Sequence, residues 1–452
     1  MSINLAIANI ALDTAIVSRQ GFGTILFVGQ HNYFAERVRS YTSTKSMVED
    51  GISQEHPIYQ AASGLFSQTP SPTEILIGRQ AVSSVLSLEE APVDGKVYSV
   101  TLSVQGFSKS FEYTAGSTDT QQVVLGALVT AIEADSDFNT IVSSVQTGTG
   151  EDAILTLDAL SDAWFTVGSL VNLNESFGTS TETAPEVVAA IEAEDESWYY
   201  ITAQDKSPTF VKAMAAEIEA KLKVYAVSLD ELTVFDPVQT GTAVDLKDEN
   251  LFRTYNMYHQ EAQTTFPEVS RVAEAAFAVT GSISYGNRRV AAVPVSLNAA
   301  GKPLTSTQQN KLKAINSDFF ARVGSDTSSD PIIGVVGKVA SGEWLDNIVG
   351  RDNLQVDIEA DFNTFLINQK NGKVAFNNKG INQVKNILST TLTQYTPEGT
   401  HNFIEDDFEI TVVDAADVPV ADKAERTFRQ ITFKATLTNA IHMVEITGTL
   451  SY

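Results

Sequence analysis

The chain has 452 residues, 43% of them hydrophobic, and 56 acidic against 30 basic side chains give it a net charge of −26. This length predicts about three domains rather than one core, and the hydrophobic content excludes a disordered chain. The negative charge opposes binding to nucleic acid and anionic membranes, and the absence of cysteine excludes disulfides and thiolate chemistry. No apolar run is long enough for a membrane span, and we expect no signal peptide because polar residues interrupt the N-terminal apolar run.

Residues 3–7, within the first 20 residues, have the pattern of a β-strand. Ile3, Leu5 and Ile7 alternate with Asn4 and Ala6, and a period of two is typical of strands. We interpret residues 1–20 as an N-terminal arm that adds a strand to a sheet, of this chain or of a neighbouring subunit.

Two separated stretches predict one α/β core domain. Residues 21–29 and 75–79 are apolar throughout, as expected of strands buried on both faces. Further on, a strand at 198–203, a helix with Pro208 in its first turn and a strand at 224–229 form a βαβ unit, which requires parallel strands. The second of the two stretches also contains a predicted helix from about residue 307 and predicted strands at 276–279, 290–297 and 332–336.

A compact β/α/β unit is predicted between these stretches. A hairpin alternates over residues 97–104 and 107–113, with Tyr98, Val100, Leu102 and Val104 on one face. The helix that follows, from about residue 120, carries its apolar residues on one side: Val124, Leu128, Val129 and Ile132.

The C-terminal part changes to helices followed by strands, which is typical of a separate α+β domain. The strands are predicted at 408–413, 428–437 and 441–450. In the second, Ile431, Phe433, Ala435 and Leu437 alternate with Thr432, Lys434 and Thr436. Chain ends usually fray unless they have a partner, so we interpret 438–452 as a second, C-terminal arm.

The predicted fold is therefore multidomain, with α+β and α/β parts. The domains are an N-terminal arm (1–20), a discontinuous α/β core (21–90 and 184–340), a small β-rich insertion (91–183), a C-terminal α+β domain (341–437) and a C-terminal arm (438–452). Two strand-forming arms favour an assembly protein over an enzyme.

We find no constellation that predicts chemistry. The five histidines lack metal-ligand spacing, and the stretch 334–338 resembles a phosphate loop but continues with Val339 where Ser or Thr is required. Acidic clusters at 192–196 and 405–407 lack the pattern of a calcium loop and predict solvated faces. His259 is expected in a core or interface rather than at a substrate site. We therefore predict no catalytic, cofactor or metal residues, and not an enzyme.

Scattered core segments resemble the contractile tail sheath proteins of tailed bacteriophages, in the branch with an inserted variable domain. The resemblance covers the core and not residues 91–183. It is carried by Arg37-Val-Arg-Ser-Tyr41, by residues 59–72 and 75–79, by Arg253-Thr-Tyr-Asn-Met-Tyr-His259, Gly281-Ser-Ile-Ser-Tyr285, Gly342-Glu-Trp-Leu-Asp346 and Asn378-Lys-Gly-Ile381, and by residues 440–448.

The resemblance implies a structural subunit of the virion tail, assembled in the bacterial host cytoplasm. Such subunits polymerise as stacked six-fold rings around the tail tube, are linked by strand-exchanging arms, and contract to drive the tube through the host envelope for genome ejection. The implied partners are neighbouring sheath subunits, the tail tube protein, and baseplate and tail terminator proteins, without cofactors, direct nucleic-acid contact or membrane insertion. The insertion is expected to face outward.

Within this interpretation, seven residues are expected to make the arm contacts between subunits: Ile3, Leu5, Ile7, Ile441, Val444, Ile446 and Leu450.

Three alternatives stay open from the sequence. The chain could be the sheath of a headless contractile bacteriocin or other injection system, a surface-binding adhesin with the insertion as its binding domain, or an acidic hydrolase. The adhesin and the hydrolase would not depend on residues 438–452.

Overall fold

The computed structural model describes residues 21–104, 107–160, 164–276, 278–324, 330–368 and 372–443. The chain first forms three strands and two helices: β1 (Ile25–Gln30), β2 (Val38–Tyr41), α1 (Thr44–Glu49), α2 (Pro57–Phe66) and β3 (Ile75–Gln80). In β1, Ile25 and Phe27 enter one core and Leu26 and Val28 enter another. The apolar run is continuous because a strand covered on both faces needs an apolar residue at every position.

The next segment packs around its own core. Its elements are β4 (Ser84–Leu88), β5 (Val97–Val104), β6 (Phe107–Thr114), α3 (Gln121–Glu133), β7 (Val142–Thr147), β8 (Ile154–Ala159), β9 (Thr166–Val171) and β10 (Leu173–Phe177). Two antiparallel sheets, β10-β4-β8-β7 and β6-β5-β9, enclose that core together with α3. The predicted inner faces of β5 and α3 are confirmed, because Tyr98, Val100, Val124 and Leu128 are fully buried. The strand β4, which precedes residue 91, also belongs to this unit.

The chain then returns to the first sheet and completes it. The elements are α4 (Ala184–Glu192), β11 (Tyr200–Ala203), α5 (Pro208–Glu219), β12 (Val224–Leu229), α6 (Thr242–Asp248), β13 (Thr254–Tyr258), α7 (Pro267–Ala276), β14 (Arg288–Arg289), α8 (Ser306–Ala314), β15 (Phe320–Arg322) and β16 (Ile332–Gly334). The sheet order is β13-β12-β11-β1-β3-β2, with β2 antiparallel at the edge and the others parallel. Helices α2 and α7 cover one face, and α4, α5 and α6 the other. The predicted βαβ unit is confirmed as β11-α5-β12.

Two predicted strands are wrong. Residue 276 ends helix α7 and residues 278–281 form a bend and turns, because Val269, Val272 and Ala273 recur at helical spacing and are fully buried. The stretch 290–297 is irregular apart from a bridge at Leu297. Pro294 has no N–H for a ladder and accounts for that irregularity.

The C-terminal part consists of α9 (Leu345–Ile367), α10 (Asn378–Gln394), β17 (Glu409–Val412), α11 (Val420–Glu425) and β18 (Ile431–Lys434). Helix α9 has 23 residues and is therefore roughly 34 Å long. Its first turns enter the core beside the large sheet, whereas Leu354 and Ile358 belong to the C-terminal core. One helix thus connects the two parts of the molecule.

Candidate functional site

Six of the seven predicted arm residues lie outside the described residues: Ile3, Leu5, Ile7, Val444, Ile446 and Leu450. Ile441 is described, and its side chain is 85% exposed. Residues 441–443 form no strand, so the predicted strand 441–450 is wrong over this part, because His442 there contacts the core domain instead of a strand. The predicted contacts of all seven residues with neighbouring subunits stay predictions.

The C-terminal sheet has only two strands among the described residues. Strands β17 and β18 are antiparallel, with Glu409 opposite Lys434 and Val412 opposite Ile431. The predicted alternation over 431–437 is confirmed, since the odd-numbered residues are partly buried against the helices and the even-numbered ones are exposed. No third strand of the described chain pairs with either strand. Both outer edges therefore present backbone N–H and C=O groups that no strand of the described residues pairs with.

A groove of about 720 Å³ lies between β18 and helix α9. On the α9 side it is lined by Leu354, Ile358 and Phe362. The other side includes residues from both faces of β18, with Phe433 from the inner face and Lys434 from the outer face. Consecutive residues from Ile431 to Ala435 line the groove, as expected along the edge of a strand, and no residue of β17 does. The groove therefore follows the free edge of β18.

Polar contacts hold the helix side of the groove in place. The Asp352 carboxylate of α9 accepts hydrogen bonds from Arg253 Nη1 at 2.6 Å and from the Tyr199 hydroxyl at 2.8 Å, and all three groups are buried. Between helices α9 and α10, Thr391 Oγ1 donates to Asp361 at 2.6 Å. The groove is thus formed before any strand enters it, which lowers the entropy lost on binding.

The carboxyl ends of the parallel strands form a second crevice, of about 610 Å³. Chain order reverses between β1 and β11, and α/β sheets commonly bind ligands at such a point. Here the lining includes the carboxylates of Asp205, Asp230 and Glu231. The ammonium group of Lys206 points inward and pairs with the fully buried Glu268. Three carboxylates without a free cation among the lining residues make this crevice unsuited to a nucleotide phosphate.

The other polar groups singled out in the sequence have structural roles. His259 is buried and its Nε2 lies 3.2 Å from the carbonyl oxygen of Pro294, which confirms the core interpretation, and burial lowers its pKa to about 4. In the 192–196 cluster, Glu192 pairs with Lys221 at 2.7 Å and Glu194 accepts from the Arg37 backbone N–H at 2.7 Å. The described residues contain no cluster of potential metal ligands and no helix with the length and apolar character of a membrane span.

Sequence reasoning predicted the arms but not a place to receive them. The groove depends on α9 and β18, which are about seventy residues apart in the chain and meet only in the folded domain. One signal was present, because residues 431–437 alternate like a strand with one apolar face. A pattern of this kind shows which side chains share one face of a strand, but not whether the edges of the strand are paired.

No protein-family model and no curated protein sequence matches the chain. Two solved structures of contractile assemblies are similar to it. The sheath in the cryo-EM structure of an extracellular contractile injection system, the PVC sheath complex in its contracted state, is 8% identical with a TM-score of 0.47, over 100% of this chain and 98% of that chain. A chain of the anti-feeding prophage (AFP) baseplate, six-fold symmetrised, is 9% identical with a TM-score of 0.44, over 62% of this chain and 76% of that chain.

Proposed function

We propose that this chain is the structural subunit of a contractile sheath. Subunits form six-fold rings stacked around a tube, strand-exchanging arms link them, and contraction drives the tube through the envelope of a target cell. A subunit of this kind can form the sheath of a phage tail, of a headless bacteriocin or of another injection system.

One observation carries the proposal. The chain has strand-forming sequences in residues 1–20 and 438–452, and it folds a two-stranded sheet whose β18 edge is open beside an apolar groove. An arm from a neighbouring subunit that pairs with β18 would satisfy the edge and bury its apolar side chains against α9. Because each chain carries both an arm strand and an edge that can accept one, the same contact can repeat head-to-tail from subunit to subunit.

The strength of such a mesh comes from the number of links. A strand of about five residues adds several backbone hydrogen bonds, each worth about 1 kcal/mol net. A single link is modest, but closing a ring makes the later links intramolecular and raises their effective concentration. This suits a polymer that must hold together while its subunits move.

The first test is negative-stain electron microscopy of the purified chain at rising concentration, with and without residues 438–452. We expect rings or striated tubes from the full chain. The truncated chain is expected to stay folded, soluble and unable to polymerise, because it keeps the acceptor edge but loses one donor strand. Normal polymers from the truncated chain would contradict the proposal.

A further inference from the structure

The last described residues are held against the core domain by one side chain, His442. Its ring packs edge-on against Trp344, with centroids 4.3 Å apart and planes at 89°. Its Nε2 lies 2.5 Å from Ser284 Oγ, and its backbone carbonyl accepts a hydrogen bond from Asn287 Nδ2 at 2.9 Å. We call His442 with Ser284, Gly286, Asn287 and Trp344 the C-terminal clasp.

The chemistry of the clasp suits a neutral imidazole. The Ser284 oxygen accepts from the Gly286 backbone N–H at 3.2 Å, so its own O–H is available to donate to His442 Nε2. Lys338 brings a positive charge to the same indole ring, since its Nζ lies 4.7 Å from the centre of the Trp344 ring. A second positive charge on the imidazole would be repelled there.

Gly286 is required for this fit. A Cβ atom at that position would lie 2.7 Å from His442 Cε1 and 2.8 Å from its Nδ1, which is closer than real contacts allow. Alanine at 286 would therefore displace the ring, while the rest of the clasp would stay chemically unchanged.

The clasp follows a turn, and the two residues that flank His442 are exposed. Thr438 is still tied to the C-terminal sheet through its backbone N–H to the Phe403 carbonyl, and Asn439 then turns the chain with a φ of 52°. Beyond it, Ile441 and Met443 are 85% and 72% exposed on either side of the bound His442. The chain is thus fixed at 438 and again at 442.

We propose that His442 is the root of the C-terminal arm, a positioning residue that fixes on the subunit's own core the point from which residues 443–452 leave toward a neighbour. This inference rests on the proposed function. A fixed root limits the volume that the arm searches and so raises its effective concentration at an acceptor edge. Tension on the arm would also pass through Trp344, the N-cap residue of helix α9, to the helix beside the groove.

The test uses a spin label at the exposed position 443, since the chain contains no cysteine and Met443→Cys gives a single labelling site. In the soluble, unassembled subunit we expect slow label motion. Gly286→Ala and His442→Ala should each sharpen the electron paramagnetic resonance lines. The matched control is Gly126→Ala, where an added Cβ meets nothing within 4 Å, and it should leave the lines unchanged. Equal, fast motion in all four proteins would overturn the clasp.

Assembly gives the second readout. The clasp variants should need at least a tenfold higher concentration than the Gly126→Ala control to form rings or tubes. Unchanged assembly of a variant whose label has become mobile would overturn the role of His442 as the arm root. If no version of the chain polymerises while the label data show the clasp, the proposed function fails and the clasp stands.

Discussion

The Asp352 carboxylate accepts hydrogen bonds from Nη1 and Nη2 of the Arg253 guanidinium, at 2.6 and 3.2 Å. Asp352 is fully buried. Breaking a buried pair leaves one charge without compensation, and this costs more than the pair contributes when intact. Asp352→Asn should therefore lower the free energy of unfolding by about 3 kcal/mol. Urea denaturation followed by circular dichroism measures the change.

The control for this prediction is Arg429, whose pairs with Asp422 and Glu425 lie at the surface. Arg429→Ala should leave the urea midpoint unchanged, because exposed ion pairs contribute little. Equal shifts in both variants would mean that burial is not what makes the Asp352 contacts important.

The clasp also predicts a dependence on pH. Burial and the Lys338 charge lower the pKa of His442, so the clasped state binds a proton less well than the released state does. The clasp is then intact above the ordinary histidine pKa of about 6.5 and weakens as the pH falls. A spin label at position 443 should become more mobile between about pH 7 and pH 5.

Other charged side chains on the surrounding elements must be separated from this effect. They are Lys338, Arg288 of β14, and Glu343 and Asp346 at the start of α9. Burial raises the pKa of Asp346 to about 6, so acidification favours the folded state there, which is the opposite sign. Asp346→Asn should retain the pH-dependent label motion and His442→Asn should abolish it. If the His442→Asn variant keeps the pH-dependent label motion, another titrating group causes it.

At the scale of elements, the proposed assembly depends on the edge of β18. Ala435 is small, partly buried and lines the groove, so Ala435→Trp would fill the space that an incoming strand needs. We expect a folded subunit whose polymers are lost or need a far higher concentration. Thr436→Trp adds the same side chain at the exposed neighbouring position and should assemble normally. Electron microscopy of both variants decides, and normal tubes from Ala435→Trp would exclude this groove as the acceptor.

Long elements with one clear period could be predicted from the sequence. The helix face of α3 and the alternation in β18 are examples, because each pattern is local. Strand β13 was missed because Thr254–Tyr258 is buried at every position, which removes the alternation. The groove and the clasp could not be predicted, since each joins residues that are far apart in the chain, such as Ser284 and His442.

At the scale of the molecule, the inserted unit is joined to the core through a narrow neck. The Gly178 N–H donates to the Ser83 carbonyl at 2.8 Å, and the unit has a hydrophobic core separate from the others. Between residues 91 and 183, Lys96 and Lys109 are the only basic side chains. A strongly acidic surface of this kind repels its own copies, which favours an outward position in a polymer over a contact between subunits.

Removal of the insertion therefore tests the assembly proposal against the adhesin alternative. A chain in which a short turn replaces residues 84–177 should fold, because its two ends are one hydrogen bond apart, and it should form thinner tubes with the same striation. The excision also removes the contact of Phe177 with Tyr33 and His56, at ring distances of 5.5 and 5.6 Å, so Phe177→Ala in the full chain is the control. If the excised chain is monodisperse but does not polymerise while Phe177→Ala does, the insertion contributes to subunit contacts. If the excised chain and Phe177→Ala both form tubes, the contacts between subunits lie in the core, the C-terminal sheet and the arms.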